Sequence, residues 1–530
     1  MSRGLYLIIT FLLLLFGSQP AVAEWRRAES DHFIIYGEST PRVLEAHAVR
    51  LEKFHYILHS FQGFATDIDG PKLEVYYVKD TDDIRLIVPG MGESVAGFYR
   101  LCDAGEMAIA IDFNDMRYGE GRLSDQEVST SQIVLFHEYG HRFMFQYGQV
   151  RYPAWFVEGF AEYYSTVRMK DKEFLLGMPW IGRHSQIEAV GLPIDYTTIL
   201  SGKQRDLSDD KYESYYPQAW LLTHYIMTDA PRRKAFEAYL LAINNGDDPL
   251  VAFKTHMGID PADLNKVLKA YFFKGLTSTY YSVPEMPVFK VTVSAVPMTD
   301  RRLLLWDATA KTCASKTHKA TILERIRTTT AKNTDPFSRS AQIHAEANFG
   351  DPAKAIAQLG QPAAEDADSL FWLGYAWYRV SQESDDSART AEALKNARTY
   401  LMQAYKARPA AAATLYYLSL AQKDRPGYPN ATALNAAVEA ANLSAGNSAY
   451  VFHAAILLIQ SDRAPEAAIL LAPLASSPHG GKMTERLKKV ITAINEKQSR
   501  QQILSLLSSG DELKDEDEED EEKEKEKGKK

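Results

Sequence analysis

The hydrophobic periodicity of this chain changes near residue 280. Before that point, strand-like runs rich in β-branched and aromatic residues, such as HFIIYGE (32–38) and KLEVYYVKD (72–80), alternate with helical patterns. Beyond residue 335, apolar residues recur almost only at helical spacing. The chain therefore predicts an α+β part followed by an all-α part.

The length also predicts more than one domain, because a chain of 530 residues exceeds what one hydrophobic core usually organises. We expect a first domain over 24–280, a linker or small β element over 281–334, a helical domain over 335–500 and a disordered charged tail over 501–530. Within the linker, VFKVTVSAVPM and RRLLLWDA are interpreted as strands.

Residues 1–23 have the plan of a secretory signal peptide. Arg3 precedes an apolar run over 5–16, and the small-residue sequence AVA stands just before Glu24. An uncleaved N-terminal anchor is the alternative, although the run is shorter than the roughly 20 residues of a spanning helix. We expect an exported protein, periplasmic or extracellular, without a membrane span after cleavage.

The formal net charge of −9 comes mostly from the C-terminal end of the chain. Residues 511–530 hold twelve acidic and six basic side chains, which leaves the rest close to neutral. Such a run cannot bury a core and predicts a disordered, solubilising tail, with partner binding as the alternative. Because the body also lacks a basic stripe, we do not expect nucleic-acid binding.

The two cysteines, Cys102 and Cys313, are too few for a disulfide scaffold or a cysteine zinc cluster. They could form a bridge in an oxidising compartment. Because they fall in different predicted segments, we expect two separate buried thiols.

The helical part contains a pattern similar to a tetratricopeptide repeat. In SLFWLGYAWYRV, the residues Leu370, Leu373, Gly374 and Trp377 have the x2-L-G-x2 spacing, and EALKNARTYLMQAYKARP would be the partner helix. An eleven-residue polar insertion, SQESDDSARTA, interrupts the two. Looser copies, FGDPAKAIAQLG and AYVFHAAILLIQSDRAPEAAILLAPLA, predict about three or four stacked helix pairs; an unrelated helical bundle is the alternative.

The segment LFHEYGHRFMFQYGQVRYPAWFVEGFAEYY (135–164) carries a candidate metal site. Residues four apart share a helix face, so His137 and His141 can point to one ion, whereas Glu138 lies beside it and does not bind it. A core helix with solvent-facing histidines is the other interpretation of these residues alone.

The following helix supplies a candidate for the third metal ligand. Pro153 can restart the chain, and Glu158 and Glu162 then share one helix face. Catalytic zinc takes three protein ligands, and two histidines with one carboxylate are a standard set, so we predict Glu158 as the third ligand. Glu162, one turn on, could accept the free ring N–H of a ligating histidine.

Together, HEYGH and WFVEGFAEY resemble the HExxH and W-x-x-E-G-x-A-E signature of gluzincin metallopeptidases, in particular the compact peptidase MA-like domains. The resemblance covers about residues 25–275, but only the segment 135–164 carries it strongly. Sixteen residues separate His141 from Glu158, fewer than in the M1 aminopeptidases. The resemblance implies Zn²⁺, a peptide or protein substrate, Glu138 as general base, and EMAIAID (106–112) as the edge strand above the cleft.

In that fold, a Tyr or His on a later helix commonly donates to the developing oxyanion. The segment DKYESYYPQAWLLTHYIM offers Tyr212, Tyr215, Tyr216 and His224, and structural burial is as good an interpretation of each taken singly. We favour Tyr216, because it directly precedes Pro217 at a predicted helix start.

Two classes of function remain after these observations. The first is a zinc-dependent metallopeptidase whose repeat-like helices present substrates or dock a protein partner. The second is an envelope scaffold protein whose peptidase-like domain binds metal or peptide without turnover. Hydrolysis of a non-peptide amide is a third option.

Overall fold

The computed structural model describes residues 24–62, 70–89, 91, 95–102, 104–112, 128–148, 151–203, 207–333, 335–476 and 481–508. The expected signal peptide and the acidic run 511–530 lie outside these residues. In the part of the chain that the structure describes, no helix has both the length and the apolar character needed to cross a membrane. The protein is of mixed α and β class.

The strands form two sheets. In chain order they are β1 (Arg26–Glu29), β2 (Phe33–Gly37), β3 (Leu73–Val78), β4 (Gly97–Cys102), β5 (Gly105–Ile111), β6 (Arg168–Met169), β7 (Glu173–Leu176), β8 (Thr279–Ser282) and β9 (Thr292–Ala295). The main sheet has the order β4, β5, β3, β2, β1, β9, and the small one the order β6, β7, β8. Strands β2, β3 and β5 are parallel, whereas β1, β4 and β9 run antiparallel to their neighbours.

The first part of the chain also contains helices, some between strands and some in succession. They are α1 (Pro41–Gln62), α2 (Thr81–Ile87), α3 (Thr130–Tyr147), α4 (Ala154–Ser165), α5 (Ile181–Val190), α6 (Tyr196–Leu200), α7 (Asp209–Tyr212), α8 (Tyr215–Met227), α9 (Ala230–Asn244), α10 (Pro249–Met257) and α11 (Leu264–Lys274). Helices α1 and α3 share the core of one sheet face, where the rings of Phe54 and Phe136 stack with centroids 4.0 Å apart.

The edge strand of the main sheet differs from the sequence expectation. EMAIAID forms β5, which pairs with β3 on one side and β4 on the other, so it is an inner strand. The edge is β4, GFYRLC. The expectation was wrong because both segments are short, and their order in a sheet depends on the hairpin turn that places β4 outside β5.

The segment 281–334 is built into the first part. Strand β9 pairs with β1, and RRLLLWDA, expected to be a strand, lies in a helix, α12 (Arg302–Ala310), which is followed by α13 (Lys316–Thr330). Leu304 and Leu305 pack with Trp25 on the second face of the main sheet. Because residues 303–310 are all buried, their apolar run has no periodicity that separates helix from strand.

The chain after residue 335 is helical. Its helices are α14 (Pro336–Asn348), α15 (Pro352–Leu359), α16 (Ala367–Glu383), α17 (Ser387–Ala407), α18 (Ala412–Leu420), α19 (Ala431–Leu443), α20 (Ser448–Gln460), α21 (Ala464–Leu471), α22 (Gly481–Asn495) and α23 (Arg500–Ser508). The last of these occupies residues that we expected in the disordered tail. Gly374 allows α16 and α17 to approach closely, because a Cβ there would lie 2.7 Å from Leu401 Cγ.

The polar segment SQESDDSARTA does not interrupt this helix pair. Helix α16 extends to Glu383 and α17 begins at Ser387, so only residues 384–386 connect them. Asp386 caps α17 by accepting hydrogen bonds from the backbone N–H groups of Ala388 and Arg389. Polar composition alone therefore did not distinguish a loop from solvent-facing helix ends.

The β4–β5 hairpin is joined both to the segment 281–334 and to the helical part after residue 335. Cys102, at the end of β4, forms a disulfide with Cys313, so the expectation of two separate thiols was wrong. The sheet brings these distant segments together, which their positions in the sequence do not reveal. Asn447 also donates a buried hydrogen bond of 3.0 Å from its Nδ2 to the Cys102 carbonyl.

The inner side of the helical part faces the second face of the main sheet across a cavity of about 780 Å³. Tyr36 and Tyr76 line it from the sheet, and Phe371 and Trp372 line it from α16. These helices therefore turn their inner surface toward the protein's own sheet.

Candidate metal centre

Helix α3 places the two histidines of the HEYGH sequence on one face. Ser129 caps the helix by accepting a hydrogen bond from the Gln132 N–H, which fixes where the helical turns begin. Phe136 and Tyr139 are fully buried in the core, so His137 and His141 face the other way, toward α4. The apolar residues of this helix thus orient its polar ones.

Two glycines let the neighbouring helices approach the site. A Cβ at Gly140 of α3 would lie 3.2 Å from the Ala161 Cα of α4. A Cβ at Gly159 of α4 would lie 2.0 Å from the Thr223 Oγ1 of α8. A side chain at Gly159 would also lie 2.5 Å from the Ala219 carbonyl oxygen and would need a helix to move, whereas one at Gly140 would need a shift of a few tenths of an ångström; this close approach brings the carboxylates of α4 to the histidines.

Glu158 completes a compact group of three possible ligands. His137 Nε2 and His141 Nε2 lie 3.0 Å apart, and Glu158 Oε2 lies 3.4 Å from the first and 3.5 Å from the second. Among the described residues, this is the group of histidine and carboxylate side chains able to hold a metal ion.

These distances fit a tetrahedral cation. With bonds of about 2.0 to 2.1 Å, the ligand atoms of a regular tetrahedral zinc site lie about 3.3 Å apart, close to the three separations observed. Two imidazole nitrogens and one carboxylate oxygen leave a fourth position for water or substrate. The donor set and its spacing therefore fit zinc, and other divalent ions that accept the same geometry also fit.

Several carboxylates concentrate negative charge at this site. Burial lowers the pKa of His137, but the hydrogen bond to Glu158 and the charges of Glu162, Glu158 and Glu138 outweigh it and raise that pKa to about 9. Glu158 has no exposed surface, and Glu162 is 3% exposed. Buried carboxylates require a compensating positive charge, which a divalent cation among them would provide.

Glu162 lies behind His137, on the side away from Glu158. Its Oε1 is 3.7 Å from His137 Nδ1. The same oxygen accepts a hydrogen bond of 2.7 Å from Arg183 Nη2, and Arg183 Nε lies 3.2 Å from both carboxylate oxygens. Sequence reasoning missed Arg183, because it lies on α5, outside the motif, and no local pattern marks it.

Glu138 lies beside the three-residue group and is not a member of it. Its side chain is partly exposed, and its charge contributes to the raised pKa of His137 and to that of Tyr99 on the edge strand β4, so Glu138 lies within electrostatic reach of both residues. Burial is the largest cause for Tyr99, followed by Glu106. A carboxylate within reach of both the ligand group and the edge strand can exchange protons with a molecule bound there.

Tyr216 lies within electrostatic reach of Glu158. Burial raises its pKa, and the nearby carboxylate of Glu158 raises it further. By contrast, Tyr215 is fully buried in the core. His224 has a structural environment, with Nε2 3.0 Å from the Gly177 carbonyl and Nδ1 2.8 Å from the Tyr271 hydroxyl.

The interpretation of this centre rests on the residues themselves. No family model, curated protein or solved structure matches the chain.

Proposed function

We propose that this protein is a zinc-dependent metallopeptidase. The observation that carries the proposal is the triangle of His137 Nε2, His141 Nε2 and Glu158 Oε2, whose sides of 3.0, 3.4 and 3.5 Å suit one tetrahedral ion. Glu138 next to this triangle supplies a base that is not itself a ligand. Such a set, with an open fourth position, is typical of hydrolytic zinc sites.

Each residue has a separate task in this proposal. His137, His141 and Glu158 hold the ion. When bound, zinc supplies Lewis acidity, which activates water and polarises the scissile carbonyl. Glu138 takes the proton of the attacking water and transfers it to the leaving amine nitrogen. Tyr216 donates a hydrogen bond to the carbonyl oxygen as negative charge develops on it.

The substrate in this proposal is a peptide or protein. An extended chain would pair with the edge strand β4, because an edge strand offers backbone N–H and C=O groups for an added strand. We also propose export to a periplasmic or extracellular location, which the plan of residues 1–23 supports. For the helical part, the repeat-like spacing around Gly374 supports a tetratricopeptide-like role in docking a partner.

Two substitutions separate metal binding from hydrolysis. Glu138→Gln should retain about one zinc per chain and abolish peptide cleavage, because it removes the base and no ligand. Glu158→Ala should weaken zinc binding by at least about a hundredfold, because it removes a ligand from a buried site. Elemental analysis and cleavage of a peptide library measure both.

Glu188→Gln on α5 is a suitable control, since this carboxylate is 56% exposed and pairs with His184. It should change neither zinc content nor cleavage. Wild-type protein that takes up no metal on reconstitution would refute the metal centre. Wild-type protein that takes up zinc but cleaves no peptide would favour the scaffold function, or hydrolysis of another amide.

A further inference from the structure

Arg183 contacts the candidate metal centre without contributing a ligand. It projects from α5, and its guanidinium binds both oxygens of Glu162 at 2.7 to 3.2 Å. Glu162 in turn faces the ring nitrogen of His137 that is turned away from Glu158, at 3.7 Å. The Glu162 carboxylate thus lies between a histidine of the candidate metal centre and an arginine, and its hydrogen bonds come from the arginine.

The same guanidinium packs on aromatic rings. Its central carbon lies 5.1 Å from the centroid of the Tyr216 ring and 5.0 Å from that of Trp180. Cation–π contacts of this kind restrict where a ring lies as well as adding energy. Arg183 therefore connects the carboxylate behind His137 with Tyr216, a tyrosine on which the charge of Glu158 acts.

The geometry of the contact depends on a planar fork. A guanidinium can donate two hydrogen bonds to one carboxylate and still place its flat face on a ring, whereas an ammonium group acts as a compact charge and cannot do both. Lysine at this position would keep the charge and lose the simultaneous contacts. This difference makes the arginine itself, and not merely a positive charge, the feature that matters.

We propose that Arg183 is a positioning residue for the metal centre. It fixes the Glu162 carboxylate against His137, so that the imidazole presents its Nε2 to the ion, and it holds the Tyr216 ring beside the ligands. Carboxylates behind ligating histidines set the orientation and basicity of the ring. The inference rests on the proposed metal site, but it does not require that the substrate is a peptide.

The test compares Arg183→Lys and Arg183→Ala with wild type in the full-length protein. We expect both variants to bind zinc about 10 to 100 times more weakly, as is typical when a partner behind a metal ligand is lost. The visible absorption spectrum of the cobalt-substituted protein should also change, because the orientation of His137 affects the ligand field. If peptide cleavage is detected, kcat should fall more than KM changes.

A matched control exists on α9. Arg232 also lies over a ring, with its guanidinium carbon 3.8 Å from the Tyr225 centroid, but it meets the Asp229 carboxylate through one 3.4 Å contact where Arg183 makes a bidentate pair; its side chain is 26% exposed against 22% for Arg183. Arg232→Lys likewise removes a guanidinium from an aromatic ring, and it should leave zinc affinity and the cobalt spectrum unchanged.

Three results would overturn the proposal. Zinc affinity and a cobalt spectrum equal to those of wild type in both Arg183 variants would show a structural role only. Equal losses of affinity in the Arg183 and Arg232 variants would show a general effect of stability. Failure of wild type to bind zinc or cobalt would remove the site itself. Metal binding without peptide cleavage would refute only the proposed activity, because affinity and spectrum would still measure the role of Arg183.

Discussion

The hydroxyl of Tyr216 provides the sharpest test at the scale of a single residue. If it donates to the developing oxyanion, Tyr216→Phe should lower kcat by roughly a hundredfold or more, because removing one such donor typically costs that much. The value of KM, zinc content and melting temperature should stay near those of wild type, since the ring remains. Steady-state kinetics on a peptide substrate measure kcat and KM.

Tyr215→Phe is the comparison for this variant. Tyr215 is the neighbouring residue on α8, but it is fully buried in the core. Its loss of a hydroxyl should affect stability and leave turnover intact. Equal turnover in wild type and Tyr216→Phe would remove Tyr216 from the catalytic set.

The sequence predicted that His137 and His141 share a helix face, because residues four apart lie on one side of a helix, and it predicted Glu158 as the third ligand from the ligand set that catalytic zinc takes. Glu162 was predicted near a ligating histidine because it lies one turn after Glu158. Arg183 was not predictable, since its position depends on how α5 packs against α4. Local spacing thus determines which side chains share a helix face, whereas the contacts between helices require the folded chain.

At the scale of the element, helix α3 contacts at its C-terminal end the corner between α19 and α20, which consists of residues 442–447. Gln146 donates from Nε2 to the Asn442 carbonyl at 2.9 Å. A Cβ at Gly446 would lie 3.3 Å from Leu101 of β4 and 3.7 Å from Phe145 of α3. The helix that carries both histidines and the edge strand beside it therefore contact the same turn of the helical part.

Asn447 in this corner has two tasks that can be separated. Its Oδ1 accepts from the N–H groups of Ala449 and Tyr450 and caps α20, while its Nδ2 donates to the Cys102 carbonyl. Asn447→Asp keeps the cap and loses the donor. The free energy of unfolding should fall by about 1 to 3 kcal/mol, because the buried carbonyl of Cys102 is left without that hydrogen bond. Asn447→Ala should cost about 1 kcal/mol more through loss of the cap.

Thermal unfolding and hydrogen exchange measure these effects. Both variants should exchange the amides of the β4–β5 hairpin faster than wild type, and only the Ala variant should expose those of the first turn of α20. Unchanged exchange at the hairpin in Asn447→Asp would mean that this bond does not hold it.

Strands β2 and β3 and the helix α1 between them were predictable, because HFIIYGE and KLEVYYVKD are rich in β-branched residues and a helical pattern stands between them, whereas β1 and α2 were not predicted. The order of β4 and β5 and the helix α12 were not. In the first case, the sequence of a short strand does not indicate which strands lie beside it in the sheet. In the second, complete burial of residues 303–310 removed the periodicity from which a helix is recognised.

For the whole molecule, the expected boundary at residue 280 is tested by truncation. A fragment of 24–280 lacks β9, which pairs with β1, and α12, whose Leu304 and Leu305 cover Trp25. We expect it to unfold without cooperativity and to bind zinc more weakly than the full chain, because one face of its sheet loses its apolar cover. Circular dichroism melting and zinc titration measure both.

The matched comparison is a longer fragment, 24–334, which keeps β9 and α12. It should unfold more cooperatively than the shorter one. A cooperative melt and native zinc affinity in the 24–280 fragment would instead show that residues 281–334 are dispensable for the fold.

The stability of the whole molecule should fall in mild acid. Burial lowers the pKa of His453, whose Nε2 lies 2.8 Å from the Ser419 hydroxyl, to about 4, compared with 6.5 for a model histidine. Between pH 6.5 and 4 the unfolded chain takes up a proton that the folded chain excludes, so the free energy of unfolding falls, and it levels off below about pH 4. The full loss from this residue is about 3 kcal/mol.

His453→Gln should flatten this part of the stability profile, and His256→Gln, at an exposed position on α10, should not. Urea unfolding at a series of pH values from 7 to 4 measures the difference. Identical profiles in wild type and His453→Gln would show that this histidine does not titrate as described.

The corner that holds helix α3 also bears on the order in which the protein is made. Synthesis proceeds from the N-terminus, so His137 and His141 leave the ribosome long before Asn442 and Asn447, whose contacts to the α3 and β4 region span 296 and 345 residues. Until that turn emerges, helix α3 lacks its hydrogen bond to Asn442, and the β4–β5 hairpin lacks its hydrogen bond from Asn447. The contacts that support helix α3 at its C-terminal end therefore form only after residues 442–447 have been synthesised.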